Sequence, residues 1–253
     1  MAFPFYNKFY AKYSHIYRYS MMIEGAKLKR GYRIMDVGGG LGYISLYCAK
    51  ERCEVYHVDI DKNLIHRAKE ISSKYGVKDI NYIRASAENL PFIQEFLDVV
   101  FCGEVLEHLS EDEKAIRDAN RVLKPSGLYI ITTPNYNALP YILLRNLPYS
   151  LRLLIFNLFK VNVKYHAEII GKRLRGHLAH RRGGNIREEL ELKLMRNGFE
   201  IEGSKGFGFL MPRVIASKIP PLVYKLIHAF GSIFPSIASK HLIIGKNKNK
   251  TRV

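Results

Sequence analysis

Four glycines crowd five positions after an aspartate: the run from Arg33 to Gly42 reads R-I-M-D-V-G-G-G-L-G, with Asp36, Gly38, Gly39, Gly40 and Gly42. Glycine has no Cβ, so such a turn reaches positive φ and lets a ligand lie against the main chain. Between a strand and a helix N-terminus it can cradle a nucleotide. The dinucleotide spacing G-x-G-x-x-G would need glycine at position 43, where Tyr43 stands. The pattern present is instead Asp36-x-Gly38-x-Gly40-x-Gly42. Asp59 follows Asp36 by 23 residues, and a carboxylate there can accept from both hydroxyls of a ribose. Three groups could handle a proton nearby: Glu104 and His108 in G-E-V-L-E-H-L, and His177 in a later basic run. His166, His177 and His180 lack any common zinc spacing, so no metal site is expected.

Those residues need elements to hold them. Arg33–Val37 reads as a buried strand and Tyr43–Lys50 as the helix after the turn. Glu54–Val58 is a second strand ending at Asp59. A helix follows, with Leu64, Ile65, Ala68 and Ile71 on its inner face, stopped by Gly76. Asp79–Arg84 and the nearly all-apolar Leu97–Cys102 are strands three and four. Glu111–Leu123 is expected to be helical, closed by Lys124-Pro125-Ser126-Gly127, with Leu128–Thr133 as strand five. Alternating strands and helices predict an α/β fold, a doubly wound and mostly parallel seven-stranded sheet. Ile186–Asn197, with Asn185 as cap, Phe199–Ser204 and His241–Gly245 supply the last helix and two strands.

The expected organisation is a helical cap over residues 1–30, carrying Tyr6, Tyr10, Tyr13 and Tyr17 on one face. A Rossmann-like domain follows over 31–136 and 185–246. Helical insertions at 137–184 and 207–239 would cover an acceptor pocket, and 247–253 would form a disordered basic tail.

The 253 residues carry 40 Lys and Arg against 23 acidic residues, a formal charge of +17. That favours an anionic neighbour, either nucleic acid or an acidic membrane surface. Three cysteines make no disulfide framework, and no basic-then-apolar leader opens the chain, so a reducing cytoplasm is the expected setting. No apolar run reaches the roughly 18–20 residues that would span a bilayer.

The Asp36–Gly42 pattern resembles motif I of the class I S-adenosylmethionine-dependent methyltransferases. The blocks A-S-A-E-N-L-P-F (Ala85–Phe92), G-E-V-L-E-H-L (Gly103–Leu109) and R-V-L-K-P-S-G (Arg121–Gly127) follow in the order found in the small-molecule and quinone-biosynthesis members. The resemblance implies S-adenosyl-L-methionine as cofactor. It places Asp36, Gly38, Gly39, Gly40 and Gly42 at the methionine and ribose end, Asp59 on the ribose and Ile60 against the adenine. Ser86 and Ala87 would border the adenine edge, with Ser86 where many relatives carry Asp. Glu104 would lie beside the methionine portion.

The leading expectation is methyl transfer to a small or lipid-like acceptor by direct in-line displacement. The basic insertions would act either as a plain lid or as a surface touching acidic membrane. An RNA or tRNA methyltransferase is the alternative. It is disfavoured because no Asn- or Asp-Pro-Pro-Tyr/Phe follows strand four and because Tyr165 is the sole aromatic in the basic run Lys160–Arg182. A non-catalytic nucleotide-binding protein of the same fold and an NAD-dependent enzyme also remain open.

Overall fold

The computed structural model describes residues 12–135, 186–207 and 240–248, with isolated positions at 147, 148, 150, 151, 233 and 238. Seven strands form one sheet: β1 (Arg33–Val37), β2 (Glu54–Asp59), β3 (Ile80–Arg84), β4 (Leu97–Gly103), β5 (Leu123–Pro134), β6 (Phe199–Phe207) and β7 (Lys240–Asn247). Their order is β3-β2-β1-β4-β5-β7-β6, and β7 alone runs opposite to the other six. The helices are α1 (Lys12–Ala26), α2 (Tyr43–Lys50), α3 (Lys62–Lys74), α4 (Asp112–Val122) and α5 (Ile186–Arg196). The α/β doubly wound sheet is therefore as expected.

The central strands are apolar on both faces because both are covered. Ile34, Val55, Val99, Phe101 and Ile130 pack with Met22 of α1 and Ile44 of α2. Met35, Val37, Val100 and Ile131 pack on the other face with Ile116 of α4 and Leu190 and Leu194 of α5. Each large side chain taken wholly from water, such as Phe101, adds about 1.5–3 kcal/mol. The two layers hold the carboxyl ends of β1, β2 and β4 side by side, and the glycine turn sits there.

Two boundaries differ from the sequence reading. Lys124–Gly127 does not part a helix from a strand, because β5 already pairs at Leu123 with Leu97 and resumes at Leu128 with Val99. The four intervening residues form a bulge in which Pro125 cannot donate to the ladder and Ser126 takes a left-handed φ of 63°. At the other end, Asn247 belongs to β7 and not to a tail. It is buried, and its side-chain amide donates to the Leu123 carbonyl at 2.9 Å and the Asn120 carbonyl at 3.2 Å. The expected insertions (137–184 and 207–239), Asn185, Tyr6, Tyr10 and the end of the tail fall outside the described residues, apart from Phe207 and the isolated positions. Among the described residues no helix is long and apolar enough to cross a membrane.

Candidate cofactor site

β1 delivers the chain into the turn at Val37, and α2 leaves it at Tyr43. The turn closes on itself where the Gly42 amide donates to the Gly39 carbonyl at 2.9 Å. Gly40 has a φ of 55°, and nothing lies within 4 Å of where its Cβ would stand. A side chain there would be strained and would fill a cradle that is otherwise open. Gly39 differs, because a Cβ at that position would stand 2.5 Å from the His57 ring.

Asp59 ends β2 beside this cradle. Its Oδ2 accepts from the Gly40 amide at 2.9 Å and its Oδ1 from the Asp61 amide at 2.9 Å. The carboxylate is thus buried, fixed in orientation and turned toward the glycines. It keeps unused lone pairs, since an ionised carboxylate offers about four acceptor positions. Asp61 caps α3 by accepting from the Asn63 amide at 2.7 Å. Ile60 between them is 66% exposed and offers an apolar surface next to the acid.

Asp36 departs from expectation. It is only 3% exposed, and its Oδ2 accepts from both the amide and the hydroxyl of Ser45, at 3.2 and 2.7 Å. Its carboxylate supports the turn from beneath and does not line the open side. Burial pushes its pKa up, opposed by His57 and the Ser45 hydrogen bonds. The Ser45 hydroxyl also lies 3.0 Å from Nδ1 of His57, a buried ring whose pKa is lowered by that burial.

Ser86 and Ala87 are half-buried beyond the end of β3. The Ser86 hydroxyl accepts from the Glu88 amide at 3.1 Å, closing a local turn. The Ala85–Phe92 and Arg121–Gly127 blocks hold each other: Arg121 donates to the Leu90 carbonyl at 2.9 Å and Asp118 accepts from the Leu90 amide.

Glu104 stands at the end of β4 with a φ of 62°. The neighbouring Val105 packs against Gly38, where a Cβ would meet its Cγ2 at 2.4 Å. Glu104 Oε2 lies 2.6 Å from Lys240 Nζ and 3.6 Å from an Arg18 guanidinium nitrogen. One carboxylate thus ties α1 and β7 to the cofactor edge of the sheet. His108 closes a short 3-10 turn, Leu106–His108, with its side chain half exposed and 4.0 Å from Glu107. The Glu107 side chain is itself buried. His166, His177 and His180 lie outside the described residues. Among the described residues no group of three or more His, Cys, Asp or Glu could hold a metal. Cys48, Cys53 and Cys102 are all buried free thiols.

Four residues escaped the sequence reading: Ser45, His57, Arg18 and Lys240. His57 carried a usable signal. It stands two residues before Asp59 and so shares that strand face.

Residues 35–131 match the family model for a methyltransferase domain. Over those residues the chain is similar to a methyltransferase domain. Within the matched residues fall the glycine turn, Asp59, Glu104 and His108. The chain is 30% identical over 111 residues to an uncharacterized methyltransferase, YcgJ, of Bacillus subtilis, covering 44% of each. It is 32% identical over 113 residues to the ubiquinone/menaquinone biosynthesis C-methyltransferase UbiE of Yersinia pestis, covering 43% of this chain and 45% of that one. The match thus spans less than half the length of these curated relatives. The solved YcgJ structure aligns with a TM-score of 0.58 at 17% identity, over 92% of this chain and 99% of that one. A Haemonchus contortus phosphoethanolamine N-methyltransferase, solved with phosphomonomethylethanolamine and S-adenosylhomocysteine, aligns at 0.59 with 19% identity over 92% and 52%. These structures share the fold of this chain.

Proposed function

We propose that this chain binds S-adenosylmethionine in the Gly38–Gly42 cradle and methylates a small or lipid-like acceptor by direct in-line displacement. The observation that carries the reading is the Gly40 and Asp59 pair. An open left-handed glycine abuts a buried carboxylate already aimed at it. Asp59 would accept from the ribose hydroxyls, Gly40 would leave room for the sugar and methionine chain, and Ile60 would back the adenine. The bound sulfonium supplies an activated methyl and departs as a neutral thioether, so little acid–base work falls on the protein. Its residues mainly align the acceptor and exclude water. That division suits a site where Glu104 is committed to Lys240 and Arg18. His108 is the described residue with an exposed imidazole on the same edge. An acceptor with an electron-rich carbon, of the quinol class, is supported by the name of the UbiE relatives.

Methyl-labelled S-adenosylmethionine, incubated with a hydroquinone-type phenol, a lipid extract and tRNA in separate reactions, tests the reading. Label is expected in the phenol or the lipid. Label in tRNA alone, or in none of the three, would overturn it.

A further inference from the structure

The glycine turn rests on a buried polar network that nothing in the methyl-transfer chemistry requires. Parallel pairing places Asp36 of β1 directly opposite His57 of β2, on the same face. Ser45, in the first turn of α2, bridges them: its hydroxyl lies 2.7 Å from Asp36 Oδ2 and 3.0 Å from His57 Nδ1. The His57 ring also fills the space under the turn, 2.5 Å from a Cβ at Gly39 and 3.6 Å from one at Gly42.

Donor counting sets the proton positions. The Ser45 hydroxyl has one hydrogen and gives it to the Asp36 carboxylate, the shorter contact. Its oxygen then accepts from His57, which must carry its proton on Nδ1. Nε2 is left bare, and it has no hydrogen-bond partner in its buried site. A charged imidazolium would bury an unpaired donor there, so the ring stays neutral.

We propose that His57, through Ser45 and Asp36, is a positioning residue that sets the shape of the cofactor turn. It touches neither cofactor nor acceptor. The chain His57 Nδ1–H to Ser45 Oγ, and Ser45 O–H to Asp36, locks β1, β2 and the start of α2 together. The Gly40 amide and Asp59 are thereby held in register. The inference rests on the cofactor reading above.

Substitution separates this role from plain packing. Asparagine places its amide where Nδ1 stands and can still donate to Ser45, although it leaves the ring volume empty. Glutamine fills more of the volume but carries its amide one atom further out. Isothermal calorimetry with S-adenosylhomocysteine should therefore find His57→Asn within about threefold of wild type. His57→Gln and Ser45→Ala should be about tenfold weaker, the loss of one net hydrogen bond. The reverse ranking, with His57→Gln binding better than His57→Asn, or equal binding by all variants, would overturn the proposal. Nitrogen-15 NMR of the wild-type imidazole is independent of variant folding. It should show a neutral ring protonated on Nδ1, and an Nε2–H tautomer or an imidazolium would also overturn it. Failure of the wild type to bind at all would strike the cofactor reading, whereas the tautomer would still test the network.

Discussion

Lys240 Nζ lies 2.6 Å from Glu104 Oε2, joining the first residue of β7 to the residue just past the end of β4 across 136 positions of sequence. Burial pulls the lysine pKa down, and Glu104 opposes that pull. Removing one partner of a largely buried pair strands the other. Lys240→Met should cost about 1–2 kcal/mol in urea unfolding, below the roughly 3–5 kcal/mol of a fully buried pair, because Arg18 still faces Glu104. The double variant with Glu104→Gln should lose less than the sum of the single changes. Additive losses would mean that the pair is not coupled.

Gly39→Ala and Gly40→Ala should fail in opposite ways. At Gly39 the new methyl meets the His57 ring, and overpacking of that kind costs about 1–3 kcal/mol of stability. At Gly40 there is space, so thermal unfolding should shift little beyond the strain of a positive φ, while cofactor affinity falls sharply. Calorimetry and a melting curve on the same samples would show both. Equal loss of affinity with equal loss of stability would contradict this division.

Stability should weaken in mild acid. His241 is buried in β7 with neither ring nitrogen hydrogen-bonded. Burial, then Arg187, pushes its pKa down to about 4, with Glu191 opposing. An unfolded histidine titrates near 6.5, so between about 6.5 and about 4 the unfolded chain binds the extra proton. Stability is then full above about pH 6.5 and is lost as pH falls toward 4. His57, also lowered by burial, adds in the same direction. Urea unfolding at about pH 5 should give about 1–2 kcal/mol less than at about pH 7.5. His241→Leu should reduce that difference, and an unchanged difference would remove His241 as its source.

Local chemistry was readable from the chain. The apolar strand Ile34–Val37, the glycines behind it and Asp59 at a strand end announce themselves through residue type and spacing, and the fold places them as neighbours. Contacts made by register or by distant chain were not. The pairing of Asp36 with His57 follows from parallel alignment of β1 and β2, which no local pattern encodes. The Arg18, Glu104 and Lys240 cluster needs α1 and β7 brought to one edge. Lys124–Gly127 reads as a loop because Pro125 and Gly127 break regular structure. The sheet accommodates them as a bulge because Leu123 before them and Leu128 after them still pair with β4. Asn247 looked like tail because its neighbours are lysines, whereas its amide satisfies carbonyls at the end of α4 and the start of β5.

Calorimetry on the wild type and on Asp59→Ala decides whether Asp59 and the Gly40 cradle grip an adenosyl cofactor. The wild type should bind S-adenosylhomocysteine and not NAD. The variant should bind it about 1–3 kcal/mol more weakly through the lost ribose hydrogen bonds, at nearly unchanged melting temperature. Preference for NAD, or an Asp59→Ala isotherm matching the wild type, would remove Asp59 and the Gly40 cradle as an adenosyl site.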